Sequence, residues 1–200
     1  SKRKNNIGKI MAKQQKHTVR IIAGDYRSRL LEVVDRDGLR PTGNRMRETL
    51  FNWLQPFLYG ARCLDLFAGS GALGLEALSR GAHAVSFNEK DREAFQVLRK
   101  NVEHICKEKD RFQLVNSDAA QFLSKNREEF SVIFLDPPFG MPELLMQSVE
   151  LINTIPIYQS VKYLVVERSV QVPAIQLDGF VLHREMKTKE STLSLFIRAV

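Results

Sequence analysis

The chain has 200 residues, 44% of them hydrophobic and 26% charged, the range of one compact domain with a sizeable core and room for a small appendage. Its longest apolar stretches, such as Val132 to Leu135 and Tyr163 to Val166, are far shorter than the roughly 20 residues a membrane span needs; the basic N-terminus carries no apolar signal region, and a cytoplasmic protein is expected. The net charge of +7 is uneven, with 13 Lys and Arg against 5 Asp and Glu in residues 1–50 and 17 against 18 beyond, so a polyanionic partner is expected, because each phosphate neutralised releases counterions; a merely solubilising tail is the alternative.

Residues 1–18, with Lys2, Arg3, Lys4, Lys9, Lys13 and Lys16, read as a basic flexible arm that folds on its target. Val19 to Ala23 and Arg29 to Val34 are short β-like runs around Gly24-Asp25-Tyr26-Arg27-Ser28, which predicts a hairpin. After the loop Arg40-Pro41-Thr42, apolar residues recur at helical spacing from Asn44, at Met46, Leu50, Trp53, Leu54 and Phe57, with Pro56 near the end. Residues 19–58 thus form a hairpin-and-helix extension ahead of a main domain, 59–200.

Beyond Tyr59-Gly60, strands and helices alternate: Arg62 to Phe67, Leu73 to Leu78, His83 to Asn88, Arg92 to Ile105, Phe112 to Asn116, Ala119 to Lys125 and Val132 to Leu135. Such alternation predicts an α/β fold, a largely parallel sheet with helices on both faces. Met141 to Asn153 adds a helix and Val161 to Glu167 a strand. Phe180 to Met186 and Thr192 to Arg198 have no helix between them and should pair as an antiparallel hairpin. Cys63 and Cys106 are the only cysteines; neither sits in a Cys-x-x-Cys pair or at zinc spacing from a histidine, and no metal is expected.

Gly69-Ser70-Gly71-Ala72-Leu73-Gly74 matches the dinucleotide-loop pattern between a strand and a helix, a weak signal by itself. Asp65, at the end of the preceding strand, sits close to where a pyrophosphate would lie, and like charges repel there. S-adenosylmethionine carries a sulfonium and an ammonium but no phosphate, so a carboxylate there helps to hold it. Glu89, ending the second strand, is placed to accept ribose hydroxyls, as in dinucleotide folds too. Asp118 follows the third strand, where it either accepts the adenine amino group while Ala119 donates its amide, or caps a helix.

The most informative tetrad is Asp136-Pro137-Pro138-Phe139, at the edge where open α/β sheets bind ligands. Two prolines turn the backbone and remove amide donors, so its carbonyls need donors from elsewhere. An exocyclic amine provides them: the Asp136 side chain and the Pro137 carbonyl would accept its two N–H groups and turn the nitrogen lone pair toward the methyl group. Phe139 would stack on the base; a strand-ending turn with Phe139 in the core is the plain alternative.

With these residues in view, the sequence resembles the RsmD family, bacterial small-subunit ribosomal RNA guanine methyltransferases acting on the 2-amino group. The likeness runs from about Val19 to the C-terminus through Arg20-Ile21-Ile22-Ala23-Gly24, Arg40-Pro41-Thr42, Arg45-Met46-Arg47-Glu48-Thr49-Leu50-Phe51-Asn52, the stretch Leu64 to Gly71, and Phe134 to Phe139. It implies a Rossmann-like class I methyltransferase fold with a seven-stranded sheet. The loop around Asp65, Phe67, Gly69, Ser70 and Gly71, with Glu89, Asp118 and Ala119, would bind S-adenosyl-L-methionine, and Asp136, Pro137, Pro138 and Phe139 would face the guanine.

The resemblance also implies RNA contacts from the N-terminal hairpin and its arginines. Arg20, Arg27 and Arg29 are candidates, as are Arg40, Thr42, Arg45 and Arg47, each of these arginines being otherwise an ordinary surface charge. The partner would be ribosomal RNA, within a small subunit or an assembly intermediate, met by a monomer. The chain departs from the family in having Ser28 where glycine is usual, in lacking a glycine near Glu190-Ser191, and in its lysine-rich arm. Alternatives are an amine methyltransferase for adenine in DNA or RNA or for a protein glutamine, a dinucleotide oxidoreductase, and a non-catalytic RNA-binding module.

Overall fold

Seven strands form one sheet in a computed structural model that describes residues 17–34, 42–138 and 141–200. Most of the predicted arm, together with Arg40, Pro41 and Phe139, lies outside the described residues. In chain order the elements are β1 (Thr18–Arg20), β2 (Leu30–Glu32), α1 (Asn44–Leu58), β3 (Arg62–Asp65), α2 (Ala72–Ser79), β4 (Ala84–Asn88), α3 (Arg92–Ile105) and β5 (Phe112–Val115). Then come α4 (Ala119–Lys125), β6 (Val132–Leu135), α5 (Pro142–Thr154), β7 (Tyr163–Ser169), β8 (Phe180–Lys187) and β9 (Ser191–Arg198).

The sheet runs β5-β4-β3-β6-β7-β9-β8. Its first five strands are parallel, and β9 inserts antiparallel between β7 and β8. The chain starts in the middle at β3, winds out to β5, returns to β6 beside β3, and winds out the other way. Strand order therefore reverses between β3 and β6, where a crevice opens at the carboxyl ends.

Each central strand is buried on both faces, as a parallel sheet with helices on both sides demands. Cys63, Phe134 and Val165 point into the core shared with α1, α2 and α3. Leu64, Leu66, Ile133, Leu135, Leu164 and Val166 point into the core that takes in Phe122 of α4 and Leu145 of α5.

The β1–β2 hairpin contributes Val19, Ile21 and Leu31 to the first core and is bolted to α2 by polar contacts. Ser79 Oγ donates to the Ala23 carbonyl and accepts the Tyr26 amide, while the Ser79 carbonyl accepts from Asp25. Gly24 passes so close that a Cβ there would lie 1.9 Å from the Ser79 carbonyl oxygen, which excludes any side chain. Ser28 adopts φ 72°, the left-handed conformation that glycine enters without steric cost.

Candidate active site

Three neighbouring strands carry a carboxylate on one face toward their carboxyl ends. Asp65 lies two residues beyond Cys63, Asp136 two beyond Phe134, and Glu167 two beyond Val165; side chains alternate along a strand, so all three continue the apolar rows that pack under α1. Asp65 is 1% exposed and Glu167 5%. Thr42, just ahead of α1, covers them and donates its hydroxyl to Glu167 Oε2 at 2.5 Å.

Burial makes these charges expensive. Desolvation first, then the charge of Glu89, pushes the Asp65 carboxyl up to about 7, against which the Gly74 amide works. Its Oδ2 accepts that amide at 3.0 Å, but its Oδ1 is buried without a partner. Asp136 is also raised well above the usual carboxylate range, by burial, then by Glu167 and Asp65. No cluster of three side chains suited to a metal ion occurs among the described residues.

Beside this edge lies a cavity of about 480 Å³, walled by Phe67, Glu89, Asp118, Ala119, Asp136 and Pro138 among others, within the ordinary size of a small-ligand site. Asn88 shapes it by binding the carbonyls of Leu66 and Ser117, which ties the ends of β3, β4 and β5 together. Glu89 takes the Gly69 amide on one oxygen and the Asp91 amide on the other, at 3.0 and 2.7 Å. Each oxygen keeps a second lone-pair direction for a hydroxyl.

Asp118 turns out to do what the plain reading offered: Oδ1 caps α4, accepting from Ala120 and Gln121. Its other oxygen is 4.0 Å from Lys90 Nζ on the cavity side, so capping leaves it an acceptor. Ala119 is the first residue of α4, where amides lack partners within the helix.

The glycine loop supports the wall from behind. Gly71, at φ 88°, caps α2, and a Cβ on Gly74 would sit 2.3 Å from the Phe87 ring, so the loop, α2 and β4 pack only with glycine there. The Ser70 carbonyl is held by Asn101 of α3, whose amide also pairs with both backbone groups of Glu32; the hairpin thereby reaches the loop. An ammonium would satisfy the buried Asp65 oxygen, ribose hydroxyls Glu89, and an adenine amino group Asp118. The residues present fit S-adenosylmethionine.

A family model described as conserved hypothetical protein 95 matches residues 19–197. Ribosomal RNA small subunit methyltransferase D of Haemophilus influenzae is 40% identical over 182 residues, 90% of this chain and 94% of that protein. The chain belongs to the RsmD family. The Escherichia coli protein of the same name is 47% identical over 135 residues, 68% of this chain and 67% of that protein. The solved structure of Escherichia coli yhhF is 39% identical, with a TM-score of 0.79 over 91% of this chain and 98% of that one.

For this RsmD-family chain the seven-stranded sheet and N-terminal hairpin agree with expectation, and two polar residues need correction. Arg47, read as a phosphate contact, is 1% exposed and binds the Arg20 carbonyl, Asn44 and Glu76; helical phase turns it toward the core beside Met46 and Leu50. Thr42, also read as facing RNA, is 5% exposed and faces Glu167. Arg20, Arg27, Arg29 and Arg45 remain exposed, although Arg20 and Arg29 also bind the carbonyls of Ser28 and His104.

Glu167 was missed as a site residue. Its signal was a carboxylate closing an apolar run, as at Asp65 and Asp136, but β7 continues past it to Ser169 and no motif stands beside it.

The raised Asp65 carries a sign that can be checked. Its folded value, about 7, lies above the ordinary aspartate value of 3.8, so the native state holds the proton longer and stability declines as pH rises through that window. Asp65→Asn is therefore expected to melt higher than the parent at about pH 8 and alongside it near pH 4. Thermal unfolding at the two pH values measures this; equal melting at the upper pH contradicts it.

Proposed function

We propose that this chain transfers a methyl group from S-adenosyl-L-methionine to the exocyclic 2-amino group of a guanine in small-subunit ribosomal RNA. The observation that carries the reading is the placement of Asp136-Pro137-Pro138 at the strand-order reversal, with Asp136 and Pro138 in the wall shared with Glu89 and Asp118. The names of the similar proteins supply the RNA. S-adenosylmethionine, when bound, supplies an electrophilic methyl group.

The chain's own residues hold and aim. Asp65, Glu89 and Asp118 bind the ammonium, the ribose and the adenine, while Asp136 and the Pro137 carbonyl accept the N–H groups of the target amine and fix its lone pair in line. Phe139, from the sequence, stacks on the base. A paired guanine hides its amine in the helix, so a splayed-out nucleotide is the substrate.

The test is incubation with small subunits, naked ribosomal RNA and DNA together with labelled cofactor, followed by mass mapping of the labelled nucleoside. Label on guanine N2 in small-subunit RNA is expected; label on adenine or on protein glutamine overturns the assignment.

The basic segment 1–18 and the exposed Arg20, Arg27, Arg29 and Arg45 serve as phosphate contacts in this proposal. Removal of residues 1–16 is expected to weaken RNA binding and to flatten its dependence on salt, since each lost phosphate contact lowers the slope by about 0.7 to 0.9. Titrations at several salt concentrations measure it, and an unchanged slope removes the arm from the interface.

A further inference from the structure

We propose that Glu167, held in place by Thr42, is a positioning residue for the amine site, which binds one oxygen of Asp136 inward and leaves the other presented to the target nitrogen. This inference rests on the guanine-amine reading above.

The geometry begins with register. Leu135 of β6 lies beside Val166 of β7, so the next residues, Asp136 just past the end of β6 and Glu167 still within β7, stand side by side on one face. Glu167 is 5% exposed and fixed by the 2.5 Å hydrogen bond from Thr42 Oγ1. The polar groups acting on Asp136 are Glu167 from β7, Asp65 from β3 and Thr42 from the approach to α1.

Two of those three are acidic. Burial, followed by the Glu167 charge and hydrogen bond and then the Asp65 charge, drives Asp136 well above the usual carboxylate range, and Thr42 alone opposes them. A carboxyl in that setting holds its proton to higher pH and, while protonated, donates it to Glu167, so that its carbonyl oxygen is the acceptor offered to an amine N–H. A neutral carboxyl held this way has the shape and polarity of a primary amide. Without Glu167 the carboxyl loses the acceptor on the neighbouring strand and is less firmly held.

The test uses the full chain with carbon-13-labelled carboxyl groups and no RNA. An aspartate carboxyl that titrates above the ordinary carboxylate range is expected in the parent. In Glu167→Gln its midpoint falls by about one pH unit or more, and in Thr42→Val it rises, since a charge and a hydrogen bond are removed in turn. Both variants are expected to lower kcat about 10- to 100-fold with KM for RNA within about threefold, and affinity for S-adenosylhomocysteine stays in that same range.

A midpoint that does not move in Glu167→Gln overturns the inference, and so does a kcat loss that travels with lost cofactor affinity or a lower melting temperature in both variants, the mark of a purely structural role. Because the titration needs no substrate, the two readings fail separately. Guanine methylation with an unmoved midpoint removes the positioning role alone, whereas a parent that labels another base removes the proposed function.

Discussion

Asp136→Ala is expected to lower methyl transfer about a thousandfold in single-turnover assays while affinity for S-adenosylhomocysteine changes by no more than about threefold. The separation follows from which side chains do what. Asp65, Glu89 and Asp118 stand on β3, β4 and the start of α4, and none depends on Asp136 for a hydrogen bond. What alanine removes is the acceptor that aims the amine lone pair, an interaction made only when the nitrogen is in line, so the loss belongs in kcat rather than in binding.

The same substitution also relieves crowding. Asp136 shares its face with Asp65 and Glu167 and is raised by both, so its removal is expected to leave the free protein at least as stable at neutral pH. Labelled-cofactor turnover, calorimetry with S-adenosylhomocysteine and thermal melting, read on one preparation, measure the three effects. A large loss of cofactor affinity places Asp136 in the cofactor site instead of the amine site.

Legibility from sequence depended on whether a residue announced itself locally. The strands β3, β4, β5 and β6 are short apolar runs closed by polar residues, and their alternation with helical periodicity is enough for a parallel sheet. The insertion of β9 between β7 and β8 is different, because it is set by long-range pairing such as Leu164 with Phe196, and no local signal distinguishes it from a hairpin added at the edge. Asp65, Glu89 and Asp136 were found since a glycine loop or a proline pair stood next to strand ends. Glu167 closes an apolar run in the same manner, yet its meaning depends on Thr42, 125 residues away. Arg47 illustrates the opposite error: an arginine in a basic segment reads as a phosphate contact until its helical phase is known.

That phase makes Glu76→Ala the substitution with the largest expected effect on stability. Glu76 of α2 is fully buried and accepts the amides of Ile22 and Ala23 at 2.8 and 3.2 Å and Arg80 Nε at 3.0 Å, with Arg47 Nε at 3.8 Å. Burial already lowers the Arg47 pKa, the charge of Glu76 opposing the shift, and Arg47 Nε has no hydrogen-bond partner. Alanine would strand two hairpin amides and an interior guanidinium at once, and breaking a buried pair by deleting one partner costs about 3 to 5 kcal/mol. Against a net stability of about 5 to 15 kcal/mol for a domain, that is enough to lower the urea midpoint markedly and to release the hairpin first. Hydrogen exchange at Ile22 and Ala23 reports the release directly. Arg47→Met removes the cation but keeps its apolar bulk, and should cost less than Glu76→Ala; equal losses overturn that ranking, and a change in the salt slope of RNA binding with no loss of stability would return Arg47 to the RNA surface.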